Sequence, residues 1–422
     1  MTPVSSEIRT PSRPPIPLFT LTVFASAALV FLVEPLVAKL VLPLLGGSSS
    51  VWNTSLAFFQ GALLLGYAYA HVLQRVRSLR LQAAIHCLAI VAAALVLPLH
   101  INQLFGPPSS DHPALWLLGV LTVSIGAPFA VLSASAPLIQ SWHARTLGAG
   151  EGREPYVLYA ASNLGSLLAL LAYPLVVEPL LTVRGQTWGW SGAYAAFLLL
   201  MAALAFAVVR AGAATPAPNT ALKSATPVTW KDRLIWTALA AIPSSLMLGV
   251  TTYITTDVAS APFLWVIPLA LYLTTFIIAF QAKPAISPEL TLILQAAALA
   301  ACVALLPYRM TFFLIQLFVH LSAFFLTALM CHQALVARRP DPSRLTEFYL
   351  WMSLGGVLGG AFNAFAAPVM FNNVWEYPLV LVLACLARPM GDWEIDRKTW
   401  AVVFLGVLAA VTTPILHTFV AP

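Results

Sequence analysis

The chain has 422 residues, of which 60% are hydrophobic and only 9% are charged, with a formal net charge of +6 at pH 7. About a quarter of the residues are charged in soluble domains, so this composition excludes a soluble globular protein. It predicts a polytopic membrane protein, and the lipid bilayer is its expected partner.

Apolar runs long enough to cross about 30 Å of hydrocarbon as helices follow one another along the chain. Thirteen can be read, at residues 17–45, 51–73, 82–101, 113–139, 155–177, 187–209, 234–256, 262–281, 289–307, 310–336, 346–369, 376–387 and 399–419, and the twelfth is short. Helices are expected because each satisfies its own backbone in lipid, whereas a barrel would need short alternating strands.

Lys and Arg divide unevenly between the two sides of these spans. With a cytoplasmic N-terminus, eighteen of the 21 basic residues fall on the inner side, Arg184 and Arg309 fall on the outer side, and Lys39 lies inside a span. This is a strong positive-inside pattern. The positive net charge therefore reflects topology and gives no reason to expect nucleic acid as a partner.

Residues 211–233, rich in Ala, Pro and Thr, predict a cytoplasmic linker between two groups of spans. The expected division is a flexible tail at 1–16, a first half of six spans at 17–210, the linker, and a second half at 234–422 that includes one extra last helix if the thirteenth span crosses. This boundary can be tested against internal repeats.

Two sequence matches support the division into halves. The segment YAASNLGSLLAL from Tyr159 aligns with YLWMSLGGVLGG from Tyr349 at an offset of 190 residues. The segment VWNTSLAFF aligns with LWVIPLALY at an offset of 213 residues, which pairs Trp52 with Trp265. Parallel six-helix repeats are the arrangement of major facilitator transporters. The predicted fold is therefore all-α, a major facilitator-like bundle of two six-helix halves with about 12–13 transmembrane helices.

Two ionisable residues lie within the first span, in the segment FLVEPLVAKLVLP. Glu34 and Lys39 stand where an ionised side chain costs on the order of 2.5 to 3.5 kcal/mol and usually faces protein or water. They are about 140° apart on a regular helix, so a direct pair is not assured. In one interpretation they belong to a substrate, ion or proton site in a central cavity. In the alternative, Lys39 snorkels outward and Glu34 bonds a neighbouring helix.

The seventh span, PSSLMLGVTTYITTDVASAPFLW, is unusually polar and carries Asp257 toward its outer end. A helix with so many hydroxyl groups suits a cavity lining. Thr252, Tyr253 and Asp257 are therefore assigned with Glu34 and Lys39 to the candidate substrate-binding site. The alternative is that the Ser and Thr side chains only join packed helices.

A second set of residues is assigned to gating or helix packing. Gly355 and Gly359 have a GxxxG spacing that lets a partner helix approach closely, and buried amides such as Asn163 and Asn363 join helices more often than they bind ligands. His332 ends the tenth span, where it suits an inner gate, a pH sensor or an interfacial position without a designated role.

Motifs for catalysis, metal binding and cofactor binding are missing from the sequence. The four cysteines have no CxxC spacing and are interpreted as packing residues. There is no Walker loop, HExxH motif, nucleophile elbow or haem signature. Neither a cofactor nor a metal ion is expected, and no catalytic residue is assigned.

Six blocks of the sequence resemble one known group of proteins. The blocks are VEPLVAKLVLPLLGGSSSVWNTSLAFFQGALLLGYAYAH, SASAPLIQSWHART, PYVLYAASNLGSLLALLAYPLVVEP, TTDVASAPFLWVIPLALYLTTFIIAF, MCHQALVARRP and LTEFYLWMSLGGVLGGAFNAFAAPVMF. They are similar to the membrane domain of bacterial fused major facilitator/spermidine synthase-like proteins. The resemblance implies a helical bundle in the bacterial inner membrane, joined in some members to an aminopropyltransferase-like domain. The stretches between spans here leave no room for that domain.

Three hypotheses for function remain open. In the first, the chain is a secondary transporter in which a small polar or cationic solute moves by alternating access between the halves, and the resemblance suggests a polyamine-related solute. In the second, it is a non-transporting subunit that anchors a separately encoded soluble enzyme through its basic inner loops. In the third, it is a membrane-embedded enzyme that acts on a lipid or a quinone.

Overall fold

The computed structural model describes residues 14–102, 104–109, 111–146, 156–211, 227–255, 265–281, 284–305, 313–340, 344–372 and 374–388. Asp257 and the thirteenth predicted span lie outside these residues. Most of the predicted linker lies outside them too.

Helices make up nearly all of the described chain. The first half contains α1 (Ile16–Leu45), α2 (Ser49–Leu73), α3 (Leu79–Ala93), α4 (Pro113–Leu121), α5 (Ala127–Thr146), α6 (Tyr156–Ala172), α7 (Glu178–Leu180) and α8 (Val183–Ala211). The second half contains α9 (Trp230–Tyr253), α10 (Val266–Ala279), α11 (Pro288–Leu305), α12 (Phe313–Ala337), α13 (Leu345–Ala361), α14 (Ala367–Met370) and α15 (Glu376–Leu386). Each of the first twelve predicted spans coincides with one of these helices or with two consecutive ones.

Nine helical segments of the described chain are long and apolar enough to cross a membrane. Three shorter apolar helices, α10, α11 and α15, occupy the eighth, ninth and twelfth spans. The prediction of an all-α polytopic membrane protein is confirmed.

Within the described residues, three spans contain a π-helical turn that joins their two helices and ends just before a proline. The turns cover Thr122–Gly126, Tyr173–Val177 and Phe362–Ala366, and the prolines are Pro128, Pro179 and Pro368. Proline lacks a backbone N–H, and its ring collides with the carbonyl four residues earlier, which here always belongs to the π turn. The wider turn therefore lets each span continue past its proline.

The helices pack in the same pattern in both halves. In the first half α1 contacts α6, α5 and α8, and in the second half α9 contacts α13, α12 and α15. The first span therefore contacts the fifth, fourth and sixth spans, and the seventh contacts the eleventh, tenth and twelfth. Between the halves, α2 contacts α13 and α6 contacts α10. The first contact joins the second and eleventh spans, and the second joins the fifth and eighth, so each contact becomes the other when the two halves are interchanged. The six-helix halves are thus structural repeats of each other.

Two equivalent glycines lie at close helix contacts of this pattern. A Cβ added to Gly165 on α6 would lie 2.6 Å from the carbonyl oxygen of Phe24 on α1. A Cβ added to Gly355 on α13 would collide with the carbonyl oxygen of Thr237 on α9. Gly165 and Gly355 are equivalent in the first sequence match, and Phe24 and Thr237 stand at the offset of the second. Equivalent glycines therefore lie at equivalent contacts, between α1 and α6 in the first half and between α9 and α13 in the second.

Candidate functional site

Glu34 lies just past the middle of α1 and is buried, with 6% of its surface exposed. Its Oε2 has no hydrogen-bond partner among the described residues. Of the residues one turn away on α1, Val30 and Val37 belong to the first-half core cluster, Ala38 packs against a cluster composed mainly of second-half residues, and Phe31 packs against both. The carboxyl group therefore lies in the protein interior, among residues that contact both halves.

Lys39 forms an ion pair with a residue other than Glu34. Its Nζ lies 2.6 Å from Oε1 of Glu178 in the fifth span, and the two side chains are 26% and 30% exposed. This pair lies near the end of the bundle that the charge pattern predicts to be outer, and that end is called the outer end below. Because Glu178 balances the charge of Lys39 without a solute, the assignment of Lys39 to a substrate site stays a prediction.

The ion pair predicts a small coupling between its two members. Lys39→Met and Glu178→Gln are each expected to lower stability, because each leaves one charge without its partner. Both side chains are partly exposed, so solvent screening should limit the coupling free energy to about 1 kcal/mol or less. Thermal unfolding of the wild type, both single variants and the double variant in detergent measures this coupling. Strictly additive losses would show that the pair contributes nothing.

Polar side chains of α9 join the two halves. Nε2 of Gln60 on α2 donates to the hydroxyl of Ser244 at 2.9 Å, and this hydroxyl donates to the carbonyl of Gly356 on α13 at 2.9 Å. Nδ2 of Asn53 on α2 donates to the hydroxyl of Thr252 at 2.9 Å. Part of the hydroxyl-rich surface of α9, including Thr252 from the predicted site, therefore lies at the interface between the halves.

Asn363, in the π turn of the eleventh span, also binds α9. Its Nδ2 donates to the hydroxyl of Ser245 at 2.5 Å and to the carbonyl of Gly359 at 3.1 Å. Gly359, like Gly355, lies directly against the α9 backbone. These contacts hold the seventh and eleventh spans together. The buried Oδ1 of Asn363 has no partner in the described part of the chain.

Tyr253 packs inside the second half. Its ring centroid lies 4.5 Å from that of His320 and 5.4 Å from that of Tyr377. Nδ1 of His320 is 3.0 Å from both the Cys302 sulfur and the Tyr377 hydroxyl. Tyr253 therefore belongs to a buried cluster of the second half, and its contact with a solute stays a prediction.

Two aromatic pairs join the halves at opposite ends of the bundle. The ring centroids of Trp52 and Trp265 are 3.7 Å apart at the outer end, and those of Tyr159 and Tyr349 are 6.5 Å apart in a stacked pair at the inner end. Each pair consists of two residues that the sequence repeat aligns with each other. A residue can touch its own repeat equivalent only beside the axis that relates the repeats. Both pairs therefore lie near the central line of the bundle.

Sequence reasoning missed a tyrosine cluster at the inner end, formed by Tyr67, Tyr159, Tyr272 and Tyr349. Tyr67 lies 6.2 Å from Tyr349 between ring centroids, and Tyr349 donates to Oε1 of Gln140 at 3.2 Å. Tyr272 lies near both Tyr67 and Tyr159. The four come from the second, fifth, eighth and eleventh spans, which line the contact between the halves. Each of the four spans contributes a single tyrosine to the cluster, which gives no local signal, and only the repeated order of spans could have indicated the cluster.

His332 and Asn163 lie beside the tyrosine cluster. The ring of His332 stacks on Phe276 with centroids 3.7 Å apart and meets Tyr272 edge-on at 5.2 Å. Asn163 follows Tyr159 by one turn of α6, and its side chain lies beside the Tyr159 hydroxyl. Both residues therefore lie where an inner gate would act, and their gating role stays a prediction.

The tryptophan pair predicts a specific cross-link across the outer end. In a variant without the four natural cysteines, Trp52→Cys and Trp265→Cys are expected to react together with a short bifunctional thiol reagent, because the two side chains are in contact. Cleavage at a protease site inserted in the linker shows whether the halves remain joined. The control pairs Trp52→Cys with Leu199→Cys, whose parent leucine is exposed on the bundle surface. Equal cross-linking of both pairs would contradict the contact.

The site offers a buried carboxyl group, amides, hydroxyls and aromatic contacts at both ends. In the part of the chain that the structure describes, no three His, Cys, Asp or Glu side chains come together to hold a metal ion. Such an arrangement suits the binding of a small solute between two halves.

Comparison with known proteins bears on the fold. No family model and no curated protein matches the chain. The inward-open xylose transporter XylE from E. coli matches 91% of this chain and 97% of its own chain, with a TM-score of 0.52. A peptide transporter crystallised with sulfate matches 95% and 94%, with a TM-score of 0.54. The human organic anion transporter MFSD10 matches 89% and 100%, with a TM-score of 0.51. The chain has the major facilitator fold.

The major facilitator fold confirms the architecture expected from the sequence repeats. Sequence identities to the three structures are only 13% to 15%, so the likeness shows the fold and leaves the solute open. In major facilitator bundles the solute site lies near the bilayer midplane, at the interface between repeats. Gln60 and Ser244 lie near the middle of their helices and join the halves there, and Glu34 lies near the middle of α1.

Proposed function

We propose that the chain is a secondary transporter that moves a small cationic solute by alternating access between its halves. The observation that supports this most directly is Glu34, whose Oε2 is the only buried carboxyl oxygen without a partner among the described residues. An ionised carboxylate at this depth is costly unless a counter-ion meets it, and a cationic solute provides one. Neutral polar solutes are the broader class, because amides and hydroxyls share the same interface.

The repeats contribute unequally to the proposed site. At the offset of 213 residues, Met247 of α9 is equivalent to Glu34 of α1, and Met247 is buried. The first half therefore supplies the negative charge, while the second half supplies apolar surface together with the hydroxyls of α9. A solute with its positive charge at one end and a less polar body matches this division.

Contacts at both ends of the bundle support alternating access. The Trp52–Trp265 pair joins the halves at the outer end, and the Tyr159–Tyr349 pair joins them at the inner end. Rocking of the halves about the central site would separate one pair while the other stays closed. The solute would then be reached from one side of the membrane at a time.

Uptake by the purified chain in proteoliposomes tests the proposal. Radiolabelled butylammonium, putrescine and xylose are compared under an imposed proton gradient and an imposed membrane potential, with empty liposomes as background. Saturable uptake of a cationic probe is expected to exceed uptake of neutral xylose. Cation uptake equal to that of empty liposomes would refute the proposal. Transport by the chain alone would also count against a role as a non-transporting subunit.

The proposal includes the setting of the chain in the cell. The positive-inside pattern supports a cytoplasmic N-terminus and a cytoplasmic linker at 211–233 between halves at 17–210 and 234–422. The six sequence blocks support membership of the fused major facilitator/spermidine synthase-like family and a place in the bacterial inner membrane. A reporter enzyme that is active only in the cytoplasm is expected to be active when inserted at either the N-terminus or the linker.

A further inference from the structure

The tyrosine cluster at the inner end contains two rings from each half. Tyr67 and Tyr159 belong to the first half, and Tyr272 and Tyr349 belong to the second. The ring centroids of Tyr67 and Tyr349 are 6.2 Å apart, and those of Tyr159 and Tyr349 are 6.5 Å apart. Tyr272 lies near both Tyr67 and Tyr159. Four aromatic rings from four spans therefore gather at one place beside the central line of the bundle.

The rings of this cluster do not cover one another completely. Those of Tyr159 and Tyr349 are nearly parallel, with 8° between their planes. Carbon atoms in contact lie about 3.5–4 Å apart, so two parallel rings with centroids 6.5 Å apart leave most of each face uncovered by the other. All four tyrosines are partly exposed although they lie between the spans. Part of their ring surface therefore borders a space that admits water.

Two hydroxyl groups of the cluster are also available to a ligand. Those of Tyr67 and Tyr272 make no hydrogen bond within the described part of the chain. The hydroxyl of Tyr349, in contrast, donates to Gln140. Replacement of Tyr67 or Tyr272 by Phe therefore removes an oxygen without breaking a bond, which allows the ring and the hydroxyl to be tested separately.

A group of aromatic faces attracts positive charge. The π electrons make each face electronegative, and an ammonium group within about 6 Å of a ring centroid is stabilised by it. Because neighbouring centroids are 6.2 Å and 6.5 Å apart, one ammonium group fits within that distance of both rings of a pair. The attraction increases where water is displaced, as it would be between the halves.

We propose that the tyrosine cluster is a cation-binding site at the inner end, and that it accepts quaternary ammonium ions. The ring faces hold the charge, so no N–H group is needed on the ligand. This site lies nearer the inner end than Glu34, and it does not require the proposed transport. Because two rings come from each half, a bound cation joins the halves and stabilises the closed inner end.

Choline and the neutral alcohol in which carbon replaces its nitrogen are the matched probes. They have nearly the same shape and the same hydroxyl group, and they differ in charge. The melting temperature of the full chain in detergent is measured over a range of each probe, at constant ionic strength set with NaCl. Its rise gives an apparent dissociation constant. Choline is expected to bind at least about fivefold more tightly than the alcohol.

Variants of Tyr67 and Tyr272 separate the ring from its hydroxyl. Tyr67→Phe and Tyr272→Phe keep the ring face and are expected to bind choline within about twofold of the wild-type affinity. Tyr67→Leu and Tyr272→Leu remove the ring face and are expected to weaken choline binding at least about threefold. Rings that served packing alone would give Leu variants with lower melting temperatures but an unchanged affinity for choline.

Tyr69→Leu is the control on the same helix. Tyr69 is two residues from Tyr67 on another face of α2, where it packs against the first-half core and lies beside His86. This variant loses a tyrosine ring outside the cluster. It should bind choline as the wild type does, and a loss equal to that of Tyr67→Leu would contradict a local site.

Arg339 provides an independent test of the charge at the site. Its guanidinium group lies near Tyr349, so its positive charge opposes a cation bound to the cluster. Arg339→Gln is therefore expected to strengthen the binding of choline and to leave the binding of the alcohol unchanged. Weaker choline binding by this variant would contradict a positive charge held at the cluster.

The outcomes decide this inference independently of transport. Equal binding of choline and the alcohol by the wild type would overturn it, and this comparison needs no variant to fold. Equal losses in the Phe and Leu variants would assign the contact to the hydroxyl groups and overturn a site made of ring faces. An absence of cation uptake in proteoliposomes would refute the proposed transport, whereas a preference for choline over the alcohol would still support this site.

Discussion

Glu34→Gln is expected to lower butylammonium uptake by at least about tenfold while leaving the fold intact. Gln has nearly the same shape as Glu but carries no charge. A hydrogen bond to a charged group contributes about 1.5–3 kcal/mol, which corresponds to a factor of about 10 to 150 in binding. Initial uptake rates into proteoliposomes over a range of butylammonium concentrations measure the loss, which should appear mainly as a higher KM.

The matched control for this variant is Glu289→Gln. Glu289 is exposed in the first turn of α11, so its charge is solvated and distant from the interface between the halves. Uptake by this variant should equal that of the wild type. Full uptake by Glu34→Gln, at wild-type KM, would remove the carboxyl group of Glu34 from the proposed site.

Gly355→Ala is expected to cause the largest loss of stability among the single substitutions proposed. The added methyl group collides with the carbonyl oxygen of Thr237 on α9, and a backbone atom cannot turn aside as a flexible side chain can. Overpacking typically costs about 1–3 kcal/mol, and separation of two helices along their contact places this change at the upper end. A lower melting temperature in detergent and a lower yield of folded protein from membranes measure the effect.

Gly356→Ala is the control one residue away. No atom lies within 4 Å of a Cβ added to Gly356, apart from its own helix and chain neighbours, so the methyl group meets open space. Alanine also favours the helix over glycine by about 1 kcal/mol. This variant should be as stable as the wild type or slightly more stable. Equal melting temperatures for the two alanine variants would contradict the close contact between α9 and α13.

Hydropathy predicted the spans because the bilayer imposes a length on every helix, whatever its partners. It could not predict which residues meet across the bundle. Lys39 and Glu178 are 139 residues apart, and their ion pair follows only once the first and fifth spans lie side by side. Glu34 stood out in the sequence because an acid is rare in a span. Its lack of a partner depends on packing and could not be read from the sequence.

The repeat alignment carried more structural information than its weak similarity suggested. It identified Trp52 with Trp265 and Tyr159 with Tyr349 as equivalent residues, but it gave no reason to expect them to touch. Contact follows only from the position of each pair beside the axis that relates the halves. The unpartnered oxygen of Asn363 was equally hidden, because an amide in a span looks the same whether one or both of its ends are bonded.

The two aromatic pairs also bear on how such a chain arises. If the halves descend from one gene that was duplicated and joined, the ancestor was a dimer of identical six-helix subunits. In that dimer a single tryptophan codon would have placed both indole rings at the outer end of the bundle. A single tyrosine codon would have placed both phenol rings at the inner end. One mutation would then have changed both residues of a pair at once, whereas after the fusion each residue could change alone.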